Sequence, residues 1–192
     1  MRPLSYILRN KNINNYKIIA NIPYNITGAI LKKFLSEEEY KPSTMVLLTQ
    51  KEVAERIVAR DGKESILSLS VKVYGDPKYI MKVGKRFFSP VPKVDSAIIA
   101  IKNISMKNFN ITNITPPNLP LSGEAKMDEE KFFNIVKSGF AHKRKVLRKN
   151  LESLEKHKGQ IDEIFKKLNI NPTSRAENLP LDIWMKIKEE LN

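Results

Sequence analysis

Lys17-Ile18-Ile19-Ala20 is a short apolar run that stops at Asn21-Ile22-Pro23-Tyr24-Asn25, and Met45–Leu48 is a second such run. Proline fixes its own φ and pushes the residue before it towards extended geometry, so the first run reads as a buried strand entering a loop. A segment of helical spacing follows each run. Thr27 would cap a helix over 28–36 with Ile30, Leu31 and Phe34 on one face. Val53, Ile57 and Val58 mark a helix over 50–60, with Asp61-Gly62 as its stop. Strand, helix, strand, helix is the order of a parallel α/β sheet.

Further along, Ser65–Tyr74 fits two patterns. Leu67, Leu69, Val71 and Val73 alternate like a strand, while Ile66, Leu69 and Val73 also share a helical face. Residues 79–83 and 94–101 read as antiparallel strands. The prolines of Phe88-Ser89-Pro90-Val91-Pro92 make the segment between them a rigid loop rather than sheet interior. Residues 103–126, rich in Asn, Ser, Thr and Pro, form a composition break and predict a linker. From Asp128 the chain turns helical, with Phe132, Phe133, Val136 and Phe140 as a core stripe and further helices over 143–156, 160–168 and 181–191. The expected division is thus a sheet domain over 1–102, a linker over 103–126 and a helical domain over 127–192.

Lys and Arg number 34 against 21 Asp and Glu, a formal charge of +13 that calls for an anionic partner, most commonly nucleic acid. Zero cysteines exclude a disulfide framework, a thiolate metal site and a cysteine nucleophile. His142 and His157 lie among lysines, a poor setting for a metal, and none is expected. No run is long enough for a membrane span and the N-terminus has no secretory pattern. A cytoplasmic protein is expected, and the Asn-x-Ser/Thr triplets at Asn103, Asn110 and Asn113 then carry no glycosylation reading.

Three segments are equipped for chemistry. In open α/β sheets ligands bind at the carboxyl ends of strands, where Asn21-Ile22-Pro23-Tyr24 stands. The Asn21 side-chain carbonyl and the Ile22 backbone carbonyl are two acceptors in a stiff frame. They can take both protons of an exocyclic amine, and Tyr24 offers a ring face to the base. Read more plainly, the same residues make an ordinary strand-to-helix turn. The proline loop could close Phe88 over the other face of a flipped base, although Phe87 and Phe88 also read as core at a strand end. Asp95 and Ser96 read as turn or pairing residues. Finally, 137–149 carries Lys137, Lys143, Arg144, Lys145, Arg148 and Lys149 without an acid. On a helix Arg144 and Arg148 share a face beside the row of Lys145 and Lys149, which suits phosphate contacts more than a merely solvated face.

Taken together, NIPYN (21–25), QKEVAERI (50–57), FSPVPKVDSA (88–97), FNIVKSGFAHKRKVLRKNL (133–151) and RAENL (175–179) resemble the small-subunit ribosomal RNA adenine N6-dimethyltransferases, the kasugamycin-sensitivity type. NIPY alone is moderately specific; the later segments in this order are highly specific. The erythromycin-resistance methylases of large-subunit rRNA share the first motif and fit the later ones less well. The resemblance implies a Rossmann-like fold that uses S-adenosylmethionine, followed by a small all-helical domain that grips RNA, and it makes Ser65–Tyr74 a helix. It implies transfer of methyl groups to adjacent adenosines near the 3′ end of small-subunit rRNA in the immature subunit. Asn21, Ile22, Pro23 and Tyr24 would hold the target amine and Phe88 would stack on the base. Lys93, Lys143, Arg144, Lys145, Arg148 and Lys149 would meet RNA.

One departure stands out. Family members begin with a basic arm, a strand and a Gly-x-Gly turn for the cofactor, followed by acidic partners. None of the seven glycines here forms Gly-x-Gly, and only 16 residues precede Lys17. Roughly the first third of the family pattern is absent. The chain is therefore expected to be the C-terminal part of the enzyme, retaining only the Asn21 end of the cofactor site, with an unpaired sheet edge at 17–20. A non-catalytic RNA-binding or ribosome-assembly module is the competing expectation.

Overall fold

The computed structural model describes residues 4–11, 13, 15–109, 123–154 and 159–191. Helix α1 (Leu4–Asn10) leads into a sheet of β1 (Lys17–Asn21), β2 (Thr44–Gln50), β3 (Asp76–Val83) and β4 (Ser96–Lys102), in the spatial order β1-β2-β4-β3. β1 and β2 are parallel, as expected from the helix between them, whereas β4 runs antiparallel to both β2 and β3. The connections hold α2 (Thr27–Lys32), α3 (Lys51–Val58) and α4 (Ile66–Lys72). After them come α5 (Gly123–Gly139), α6 (Leu147–Leu151), α7 (Ile161–Lys167) and α8 (Leu181–Glu190).

The sheet interior follows from side-chain alternation. Met45 and Leu47 of β2 and Ala97, Ile99 and Ile101 of β4 are fully buried. They join Leu69, Phe109, Phe132, Val136 and Trp184 in one apolar core, so sheet and C-terminal helices pack as a unit. Glu129 of α5, itself buried, reinforces the join by accepting from the Tyr74 and Ser36 hydroxyls. At the other extreme, no strand among the described residues pairs with the outer edge of β1, and Ile19 there is 80 % exposed, so the run at 17–20 is an edge strand and not the buried strand expected.

Several local expectations are corrected. Thr27 is the first residue of α2, not its cap. Its hydroxyl is buried and donates to the Tyr24 carbonyl instead. The helix passes at Lys33–Glu37 into a wider π turn. α3 ends before Asp61-Gly62, because Ala59 adopts φ 53° and the Arg60 N–H bonds back to Glu55 O. Ser65–Tyr74 resolves as helix α4, since Ser65 and Ser68 form a reciprocal capping box that no strand could use. The 103–126 segment begins with packed residues: Ile104 and Phe109 are buried, and the next helix already starts at Gly123. Residues 110–122, with the triplets at Asn110 and Asn113, lie outside the described residues, as does His157.

The largest correction concerns 143–156. The Lys145 N–H bonds to His142 O in a turn, and helix begins only at Leu147 and ends at Leu151. Arg144 therefore shares no helix face with Arg148. The cause is tertiary. Gly139 is buried against Trp184 and Leu147, so the chain must leave α5 there. The Asn150 amide then ties the Gly139 and His142 carbonyls at 2.6 and 3.2 Å, which holds the turn open.

Candidate functional site

β1 stops because Pro23 has no N–H for the ladder; the Ile22 N–H makes the last bond, to Leu48 O at 3.3 Å. Pro23 (φ −56°) opens a tight turn over Tyr24–Ile26, and α2 follows directly. Across the sheet, the loop after β3 contains a cis Ser89–Pro90 bond and returns to β4 at Ser96. Asn21, Ile22, Pro23 and Tyr24 thereby come together with Phe88 and Pro92 around a cleft of about 310 Å³. These residues, more than sixty apart in sequence, meet because β1 and β4 flank β2 and bring their site ends to the same edge.

The cleft has a firm floor. The Tyr24 and Ser96 hydroxyls lie 2.6 Å apart, and Ser96 is fully buried. At its other end Tyr24 is held through its carbonyl, which accepts from Thr27 at 3.2 Å, and Thr27 in turn bonds the buried Thr49 hydroxyl at 2.9 Å. Ser96, read from sequence as a turn or pairing residue, thus braces the Tyr24 ring. Thr27 and Thr49 were not legible as site residues, since each bond spans two elements. By contrast, Asn21 lines the cleft and its side chain has no hydrogen-bond partner among the described residues. An unpaired amide of this kind is available to a ligand.

Phe88 is half-buried at the cleft, while Phe87 is 70 % exposed, so the reading of Phe87 as core is wrong. The turn Lys85–Phe87 points the ring out of the sheet instead. Lys93 does not border the Asn21 cleft. It lines a neighbouring one of about 330 Å³ with Lys51, Lys85, Glu52 and Asp95. Lys82, 2.8 Å away, and the Lys85 N–H hold the Asp95 carboxyl below its ordinary range.

The basic segment forms a second exposed surface. Lys143, Arg144, Lys145 and Lys149 are exposed, and no carboxylate pairs with them among the described residues. Arg148 differs: it pairs with Asp162 at 2.7 Å and with Glu152 at 3.4 Å, fastening α6 to α7. No group of metal-ligating side chains occurs among the described residues, and no helix among them is long and apolar enough to cross a membrane.

Residues 3–115 match the family described as ribosomal RNA adenine dimethylase. A ribosomal RNA small subunit methyltransferase A of Fusobacterium nucleatum is 36 % identical over 172 residues, which is 89 % of this chain and 60 % of that protein. The protein of the same name from a Nostoc species is 38 % identical over 177 residues, covering 89 % of this chain and 59 % of its own length. The chain thus spans about 60 % of the length of such curated relatives. The solved 23S rRNA methyltransferase ErmE superimposes with a TM-score of 0.66 at 23 % identity, over 93 % of this chain and 66 % of that one. A dimethyladenosine transferase from Plasmodium falciparum gives 0.65 at 24 % identity, over 90 % and 65 %. These two likenesses show the fold, a Rossmann-like sheet joined to helices.

Proposed function

The chain belongs to the ribosomal RNA adenine dimethylase family, and from that membership we propose that the protein methylates N6 of adjacent adenosines near the 3′ end of small-subunit rRNA, on the immature subunit in the cytoplasm. The observation that carries the reading is the cleft itself, where Asn21, Ile22, Tyr24 and Phe88 line one hollow at a sheet edge. The named activity of the relatives, ribosomal RNA small subunit methyltransferase, points the same way.

The chemistry supplied by these residues is that of the acceptor. An adenine N6 is a poor nucleophile because its lone pair is delocalised into the ring. Hydrogen bonds from its two protons to the Asn21 side-chain oxygen and the Ile22 carbonyl favour a pyramidal nitrogen with a localised pair. Tyr24 and Phe88 would hold the ring between them and offset the few kcal/mol lost on leaving the stack. Fixing the amine in one orientation supplies rate by positioning, and a dedicated base is unnecessary.

S-adenosylmethionine is the methyl donor that the family implies. Among the described residues Asn21, unpartnered at the cleft, is the one this reading assigns to it. No Gly-x-Gly turn exists among the seven glycines. These residues therefore fit the acceptor side and not a complete donor site.

RNA outside the cleft would lie on Lys143, Arg144, Lys145 and Lys149, with Lys93 nearer the target and residues 127–192 acting as the gripping unit. The corrected geometry leaves Arg148 a structural part. The test is RNA binding: a short unpaired RNA bearing one adenosine should bind the protein more tightly than the same RNA without it, and Asn21→Ala should remove that preference. An affinity that ignores adenosine and is unchanged by Asn21→Ala would replace the acceptor cleft by a non-catalytic RNA-binding module.

A further inference from the structure

Phe87 is the most exposed aromatic side chain among the described residues, at 70 %. Leaving such a ring in water forgoes the gain of burying it. It is also held rigidly. The Phe87 N–H bonds to Gly84 O at 3.1 Å and the Phe88 N–H to Lys85 O at 3.2 Å, closing the turn. The Lys85 N–H donates to Asp95 at 3.0 Å, anchoring the turn to the start of β4. The Arg86 guanidinium stands over the ring, 5.0 Å from its centre. A ring covered by Arg86 on one side and still 70 % exposed has an open face.

The segment that carries it is cationic. From Pro77 to Val94 the chain carries Lys78, Lys82, Lys85, Arg86 and Lys93 and no acid. Asp95, the adjoining carboxylate, is taken up by Lys82 and the Lys85 N–H. A fixed aromatic face beside an arginine, inside a cationic stretch, suits a nucleobase attached to a phosphate backbone, since every base has a π-face and the cations follow the phosphates. The next residue, Phe88, lines the Asn21 cleft.

We infer that Phe87 and Arg86 form a second base-stacking site, which takes the unpaired RNA nucleotide adjoining the one held in the cleft. The inference rests on the cleft being the adenosine site. It assigns the neighbouring nucleotide a place outside the cleft, so that the strand is splayed over the Phe87-Phe88 pair with one base on each ring.

The experiment uses short oligouridine RNAs with one adenosine and a 2-aminopurine next to it, read by fluorescence quenching and by affinity. With the unaltered protein, the adenosine RNA binds better than plain oligouridine and the adjoining 2-aminopurine is quenched. Phe87→Ala should abolish that quenching and weaken binding about tenfold, the scale of one unstacked base, with the salt dependence unchanged. Phe87→Trp should restore affinity. Because the ring is exposed, neither change threatens the fold. Quenching that survives Phe87→Ala, while Tyr24→Ala removes the adenosine preference, overturns this inference and leaves the cleft reading standing. No adenosine preference in the unaltered protein overturns the cleft reading and this one with it.

Discussion

Replacing Ser96 with alanine removes one end of the 2.6 Å bond that braces the Tyr24 ring, and replacing Tyr24 with phenylalanine removes the other. The two losses are unequal. Tyr24 is half-buried at an open cleft, so its hydroxyl can rebind water after Ser96→Ala. The cost should be that of one ordinary hydrogen bond, about 0.5–1.5 kcal/mol. Ser96 is fully buried, and its hydroxyl has no other hydrogen-bond partner among the described residues. Tyr24→Phe strands its hydroxyl, at about 1–3 kcal/mol. The double variant has neither group to strand, so it should be less destabilised than the sum of the singles by about 1 kcal/mol or more. Urea unfolding of the four proteins, followed by circular dichroism, measures the cycle. Both single variants keep an aromatic ring in the cleft, yet both should reduce the preference for adenosine-bearing RNA, because the ring is no longer fixed. Additive stabilities within about 0.3–0.5 kcal/mol, with an unchanged adenosine preference, would falsify the brace.

Removing Lys143, Arg144, Lys145 and Lys149 together should flatten the log–log salt dependence of RNA binding by about 2.8–3.6, at 0.7–0.9 per phosphate neutralised. Arg148→Ala should leave that slope nearly unchanged and cost at most about 1 kcal/mol of stability, since its ion pairs are partly exposed; a slope flattened by the share of a whole phosphate would return Arg148 to the RNA surface. Gly139→Ala would drive a methyl group into Trp184 and to 2.9 Å from Leu147, so it should destabilise by about 1–3 kcal/mol or more in thermal or urea unfolding. Burial raises Tyr16 from its ordinary value of 10.0 to about 12, and raises Tyr74 too, in its case with help from Glu129. A phenol whose pKa rises on folding holds more proton when folded. Its stabilisation is therefore intact below pH 10 and lost as pH climbs towards the folded value. Absorbance titration should show Tyr16 and Tyr74 ionising only above their ordinary value, together with loss of structure; ionisation of both near pH 10 in the folded protein would contradict it.

Local chemistry was enough for much of the molecule. Pro23 terminates β1 wherever that strand is placed, because a missing N–H and a fixed φ need no tertiary context. The apolar runs of β2 and β4 and the stripe of Phe132 and Val136 announced what would be buried, since burial follows period, whereas the apolar run of β1 lies at the sheet edge with Ile19 exposed. The motifs at 21–25 and 88–97 also named the cleft residues before any geometry was available. Composition and period could not say that Ser65–Tyr74 is helical; the reciprocal Ser65–Ser68 bonds and packing in the core decide that. They could not separate Phe87 from Phe88 either, because adjacent residues with the same side chain differ only in which way a turn aims them. The basic segment shows the limit most plainly. Its charges were legible, but helical spacing put Arg144 and Arg148 on one face, whereas Trp184 against Gly139 forces a turn that separates them. A carboxylate on α7, Asp162, then claims Arg148. Charge is a property of the residue, while its availability to a partner depends on what the fold sets beside it.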